Sequence, residues 1–306
     1  MRLSIILPAL LLVTASAASA DDTPPAAPTM AQVLAESTTF DWRQPKAKDT
    51  LYMDLPGGRV VIELAPRFAP EHAANIRTLA REGYWNGLAI VRVQDNYVVQ
   101  WADPGAGDAT TRKPLGTAKA RLPAEFEHTG TLPDLALIDS RDAYAERVGF
   151  VEGFPVGHDP QRGATWLAHC YGTVGAGRDN AADSSSGAEL YVVIGHAPRH
   201  LDRNITPVGR VLSGMELLSA LPRGPAPMGF HADAAHHVPI IAITLASEIP
   251  AAERLPIEVF RTDTPAFQRL VQARRERHEE WFVDPVGRIE LCNVPLPVRL
   301  RADSAK

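Results

Sequence analysis

Between Gly83 and Pro104 the chain reads GYWNGLAIVRVQDNYVVQWADP. A Gly-containing turn feeds an apolar β-rich run that carries one arginine, Arg92. The polar turn Gln94-Asp95-Asn96 then leads into a second apolar run that ends on Gln100. A guanidinium stays charged at every ordinary pH and presents a rigid fork of donors. Burying one in such a strand is costly unless something uses it. The fold must therefore give Arg92 a partner or a task.

The surrounding segments read as a β-rich domain. Thr50 to Leu55 and Arg59 to Leu64 flank Pro56-Gly57-Gly58, which is a hairpin signal. Val60, Val61, Ile62 and Leu64 are too continuous for a sheet wet on one face, so this strand is expected to be covered on both sides. From about Glu71 to Glu82 the period becomes helical. Ala73, Ile76, Arg77, Leu79 and Ala80 share a stripe, Pro70 and Glu71 suit the first turn, and Gly83 is a natural C-cap. Pro104 to Ala120, rich in Gly, Thr and Lys, reads as loop.

Taken in order, these pieces resemble the cyclophilin family of peptidyl-prolyl isomerases. That family's signature runs roughly aromatic-Asp-Gly-x-x-Phe-His-Arg, a short turn, Phe-x-x-Gln, then Gly-Gly-Asp. Tyr84-Trp85, Arg92, Tyr97, Gln100 and Asp103 occupy the matching places. Further on, Leu122 to Phe126 resembles the family's Glu-Phe segment, and Thr165 to His169 its Gly-x-x-x-Met-Ala strand. Gly187 to Ile194 resembles Gly-Ser-Gln-Phe-Phe-Ile. Leu201 to Val211 resembles the Leu-Asp to Gly-x-Val stretch, and a second helix runs from Gly214 through Leu221. The likeness spans about Thr50 to Leu221. It implies a mostly β fold: a cyclophilin-like closed antiparallel eight-stranded barrel with capping helices, here with a long insertion and a C-terminal helical extension.

The resemblance also implies an activity, the cis-trans isomerisation of X-Pro bonds by a non-covalent route that needs no cofactor and no metal. Arg92 would donate to the twisted amide, and Gln100 would hold the substrate or Arg92. Tyr97, Leu167, Leu190, Tyr191, Leu201 and Ile205 would wall the proline pocket, while Ala168 and His169 would line the groove beside the substrate backbone. Strict alternation from Tyr97 puts Gln100 on the opposite face, so a bulge or a turn position for Tyr97 is required. The sequence also departs from the family pattern. Ile90-Val91 stands for Phe-His, Trp101-Ala102 for Gly-Gly, Glu189 for a glutamine, His200 for an aromatic and Ile205 for His or Tyr. A carboxylate at Glu189 is placed to pair with Arg92 and withdraw its donors. The alternative reading is thus a catalytically weak or inactive cyclophilin-like peptide-binding or chaperone module of the cell envelope.

The ends supply an address. Arg2, the apolar run Leu3 to Val13 and Ala18-Ser19-Ala20 form the secretory pattern, so residues 1–20 are expected to be cleaved and the product to be periplasmic. Residues 21–49 read as a leader, 50–246 as the barrel with an insertion at about 129–162, and 247–306 as an extension packed on the barrel. In that extension a helix from about Pro265 to Phe282 carries Phe267, Leu270, Val271, His278 and Trp281 on one face, and Arg288 to Val294 reads as a last strand. Cys170 and Cys292 are a candidate disulfide in an oxidising compartment. The net charge of −5 argues against nucleic acid as a partner. The expected partners are proline-containing segments of unfolded or exported proteins. His231, Asp233, His236 and His237 lie in a loop without regular metal-ligand spacing, and Ser184-Ser185-Ser186-Gly187 lacks a nucleophile elbow.

Overall fold

The computed structural model describes residues 28–301, so the secretory pattern at 1–20 and the leader through Ala27 lie outside the described residues. Nine strands form the largest sheet, every pair antiparallel. Their order is Val238–Pro239, Ala89–Val93, Val98–Ala102, Leu190–Val193, Thr173–Ala176, Thr206–Ser213, Gly58–Leu64, Thr50–Leu55 and Ala242–Leu245. The first and last of these are halves of one segment. Between them Ile240 N–H donates to Leu88 O at 2.8 Å and Ile241 N–H to Asp54 O at 2.9 Å. One interrupted strand thus bonds to both free edges of the curled sheet and closes it. Counted that way the barrel has the expected eight strands.

The hairpin Thr50–Leu55/Gly58–Leu64 forms where its signals place it. Its second strand is covered on both sides, as its apolar run requires. Val60, Ile62 and Leu64 fill the barrel with Trp85, Trp101 and Leu190, while Val61 packs outward on Tyr52, Leu212, Ile257 and Val259. The helix Pro70–Arg81 covers one opening with Ala73, Ile76, Leu79 and Ala80. Arg77 is not part of that stripe; it reaches Asp49 at 2.6 Å. Glu125 caps the helix, accepting from the backbone N–H of Glu71 and His72 and bonding His72 Nδ1. Burial opposes its charge, but those bonds outweigh it and hold the carboxyl below its usual value. The second helix is a short one, Met215–Ser219.

The insertion is a sheet, not a loose surface loop. His128–Thr129, Ala164–Leu167, Phe154–Asp159, Arg147–Val151 and Ala136–Ile138 pair side by side in that order. Its central hairpin turns at Glu152 and Gly153, both at positive φ (52° and 84°). That geometry matches the twist of the flanking strands. The N-terminal stretch is also built in: helix Met30–Ala35 packs on helix Pro265–Glu276, and strand Trp42–Arg43 pairs with Ile257–Phe260.

The C-terminal helix is shorter than its apolar spacing suggests. It starts on the Thr264 cap and ends at Glu276, with Arg277 left-handed at φ 51°. Phe267, Leu270 and Val271 are buried, but Trp281 is 83 % exposed. The physical reason lies in the run Arg274 to Glu280, which offers charges and no apolar neighbour to extend the stripe. The helix packs into a core with Val33, Val148, Phe150 and Phe260, against the insertion and the N-terminal helix. Arg288 to Val294 is not a strand. It forms a single 3₁₀ turn, Leu291–Asn293, and the last strand is Val298–Leu300 on Ile257–Phe260.

Cys170 and Cys292 are bonded, with Cα atoms 5.1 Å apart across 122 residues of sequence. The bridge ties the extension to the loop that leaves the insertion's sheet. In the chain-entropy view, a loop of this length contributes about 4–5 kcal/mol. Reduction, or the pair Cys170→Ala and Cys292→Ala, is expected to lower the thermal unfolding midpoint by roughly 5–15 °C. Calorimetry giving the same midpoint with and without reductant would contradict this.

Candidate active site on the open face of the barrel

One part of the barrel's outer face lies outside the apolar clusters built by the insertion and the extension, although its central residues are themselves largely enclosed, with Arg92 9 % exposed, Gln100 7 % and Tyr191 5 %. It is made by Ala89–Val93, Val98–Ala102 and Leu190–Val193, adjacent in the sheet. A register shift between Ile90 and Arg92 sets Arg92 opposite Gln100, and Gln100 is opposite Tyr191. Tyr97 stands in the turn before its strand, with Asn96 left-handed at φ 51°. That is the turn position its spacing to Gln100 required. Arg92, Gln100 and Tyr191 therefore run in a row across three strands.

The guanidinium is fixed by neutral acceptors. Its Nε–H donates to Met228 O at 2.7 Å, Nη1 to Gln100 Oε1 at 2.8 Å, and Nη2 to Gln94 Oε1. Three of its five N–H groups are used, which leaves two to offer. Glu189 does not pair with Arg92; it accepts instead from Gln100 Nε2. Burial lifts the Glu189 carboxyl above its usual value, against the pull of Gln100 and Arg92. Burial likewise lowers the pKa of Arg92, with Tyr97 and Glu189 opposing.

Aromatic and apolar groups frame the arginine. Its guanidinium carbon is 5.0 Å from the Phe230 ring centre and 5.7 Å from that of Tyr97. Tyr97, Val98, Tyr191, Val193 and Ile205 form one apolar cluster, and His200 lies parallel to Tyr97 with ring centres 6.5 Å apart. Trp101, which stands where small residues were expected, points the other way and fills the barrel interior. The open face is left clear of its indole.

The structure thus gathers Arg92, Gln100, Tyr97, Tyr191 and Ile205, but not the other expected pocket residues. Leu167 is buried between the insertion and the barrel with Phe68, Val151 and Val156. Ala168 lies in the core beside Cys170. Leu190 faces the barrel interior, as alternation from Tyr191 demands. Leu201 ends the 3₁₀ turn Arg199–Leu201 and joins none of the apolar clusters. The strand that pairs with Leu190–Val193 is Thr173–Ala176, not Thr165–His169. Gly163 to Ala168 and Gly172 to Gly177 share the same Gly spacing, and only strand pairing separates them. Gly175 sits under Tyr191, where an added Cβ would collide with the phenol. Phe230, Met228 and Gln94 also escaped the sequence reading. The first two belong to a Pro/Gly-rich loop without periodicity, which joins the sheet edge through His231 N–H to Val91 O.

His169 does not line a groove; it is fully buried and anchors Tyr191 from behind. Tyr191 Oη is 2.9 Å from His169 Nε2, and His169 Nδ1 is 2.8 Å from Asp202. Since the carboxylate only accepts, Nδ1 carries a proton and Nε2 accepts the phenol O–H. Arg199 Nε donates to Asp202 at 2.6 Å, and its two Nη atoms reach Asp142 at 2.8 and 3.1 Å. The insertion's loop thereby fastens the ring that floors the open face. Burial opposes the Asp202 charge, but His169 and Arg199 outweigh it and hold the carboxyl below its usual value.

Residues 50–244 match the model of the family described as cyclophilin type peptidyl-prolyl cis-trans isomerase/CLD. The chain belongs to that family. Among its relatives, a probable peptidyl-prolyl cis-trans isomerase of Brucella suis is 27 % identical over 183 residues, which cover 58 % of this chain and 73 % of the relative. A peptidyl-prolyl cis-trans isomerase of Helicobacter pylori is 28 % identical over 186 residues, covering 60 % and 86 %. The crystal structure of cyclophilin AquaCyp293 from Hirschia baltica superposes with a TM-score of 0.66 at 24 % identity, over 86 % of this chain and 95 % of that one. This last likeness in fold extends well past the barrel.

Because the Asp202 pKa is depressed on folding, its contribution is complete above the ordinary value of 3.8 and is lost as pH falls below it. Asp202→Asn is expected to cost about 3 kcal/mol at neutral pH, by leaving the buried Arg199 with Asp142 as its remaining charge partner. The gap to wild type should narrow only below pH 3.8. Urea unfolding at a series of pH values measures it, and a gap that stays constant into acid would contradict the assignment.

Proposed function

We propose that the protein catalyses cis-trans isomerisation of X-Pro bonds in exported polypeptides, with Arg92 as the donor and the Tyr97–Tyr191–Ile205 face, edged by Phe230, as the proline pocket. Rotation about such a bond faces a barrier of about 18–20 kcal/mol and takes tens of seconds unaided. A 10⁵-fold acceleration requires about 7 kcal/mol of preference for the twisted amide. As conjugation is lost the prolyl nitrogen regains its lone pair, and a fixed cation nearby favours that form. The apolar face holds the ring and excludes water. No bond is broken and no proton needs to move.

The observation that carries this reading is the way Arg92 is held. Its partners are two amide oxygens and one backbone carbonyl, so the charge is positioned without being neutralised, and two N–H groups remain. Gln100 is a positioning group in this scheme, and Glu189 orients Gln100. Beyond Glu189 a cavity of about 250 Å³, lined by Tyr84, Asp103, Lys113 and Arg178, is available to a neighbouring side chain of the peptide. The proposed address is the periplasm. The secretory pattern at the N-terminus supports it, as does the disulfide, since such bridges persist in oxidising compartments.

Arg92→Ala is expected to lower kcat/KM for a proline peptide by roughly 10²–10³-fold, the usual loss on removing one preorganised donor. Arg92→Lys should recover part of that loss, because it keeps the charge without the fork. A coupled isomerase assay on the mature protein decides the matter. Equal rates for wild type, Arg92→Ala and buffer would overturn the proposal.

A further inference from the structure

Where the covered outer face of the barrel meets the insertion and the extension, the structure contains a second cavity, of about 230 Å³. Phe150, Pro155, Val211, Leu291, Val294 and the Cys170–Cys292 bridge give it apolar walls, and Arg210 is its one charged lining residue. Arg210 makes no side-chain hydrogen bond among the described residues. Its Nε and Nη2 are enclosed without an acceptor. Glu63 lies directly across the strand pair from Arg210, but it is taken by Arg43 through bonds of 2.6 and 2.9 Å. Arg43 also feels the charges of Glu152 and Asp263, whereas among the described residues no carboxylate is hydrogen-bonded to Arg210.

Burial brings the Arg210 pKa down to about 10, with Glu63 opposing and Arg43 adding to the fall. The group is therefore still charged at neutral pH. Buried charges in folded proteins are paired, and an unpaired guanidinium is among the costliest groups to enclose. A single cation calls for a single negative charge. The apolar walls call for hydrocarbon next to it, and the volume lies below the roughly 300–1,000 Å³ of sites for larger ligands.

We propose that this cavity binds a small monocarboxylate with a short apolar tail, its carboxylate on Arg210 and its tail among Phe150, Val211, Leu291 and Val294. The site is separate from the Arg92 face, so its test does not read isomerase activity and stands or falls on its own. Sodium butyrate is the probe, titrated into the mature, disulfide-intact protein and followed by calorimetry and thermal unfolding. Saturable binding is expected, with the unfolding midpoint rising by roughly 5 °C at about a hundredfold excess over Kd. Sodium sulfate at equal ionic strength should give no comparable shift, and Arg210→Met should abolish the response to butyrate. Three results would each overturn the proposal: no saturable heat with wild type, an equal shift in Arg210→Met, or sulfate matching butyrate. The first needs no variant, so the test survives even if Arg210→Met does not fold.

Discussion

A guanidinium held by neutral oxygens is the constraint around which the open face is organised. Were Arg92 bonded to a carboxylate, its charge would be cancelled where an amide needs it. Were it unbonded, its position would be blurred by rotamer freedom. Gln100, Gln94 and the Met228 carbonyl avoid both outcomes. Glu189 is kept one residue away, behind Gln100, where burial already raises its pKa. The register shift beside Arg92 and the turn position of Tyr97 are backbone devices that bring arginine, glutamine and tyrosine onto one face.

The rest of the chain supports that face from behind. A barrel closed by one interrupted strand gives three neighbouring strands a fixed curvature. The insertion adds a sheet, and through Asp142, Arg199, Asp202 and His169 it fixes the phenol of Tyr191. The extension covers the other outer face with Ile257 and Val259 and is tied to the same region by the disulfide. Where the family pattern has a phenylalanine, Tyr191 offers an oxygen to anchor.

Much of the barrel was legible because its signals are local. The Pro-Gly-Gly hairpin, the Pro-led helix with Gly83 after it, and the arginine and glutamine strands each announce themselves within a dozen residues. The closing segment Val238–Leu245 is one mostly apolar run in the sequence, and only pairing shows that it serves both edges. What failed was non-local. Leu167-Ala168 fits the family's pocket strand by residue type better than Ala176-Gly177 does, yet hydrogen bonding gives the place to Thr173–Ala176. Leu190 and Tyr191 are adjacent, and only the pleat says that one fills the barrel and the other the groove. Phe230 comes from a loop with no periodicity at all. The insertion's short strands announce no sheet by themselves; they pair where the barrel and the extension cover them.

The central claim is that proline peptides bind the face shared by Arg92, Tyr97 and Tyr191. The most direct measurement is solution NMR of the guanidinium and aromatic side-chain signals during titration with a short X-Pro peptide. The account predicts perturbation of the Arg92 Nε–H, Tyr97 and Tyr191 resonances, with those of Leu167 and Ala168 unmoved. Shifts centred on Leu167 and Ala168, with Arg92 silent at saturation, would contradict it.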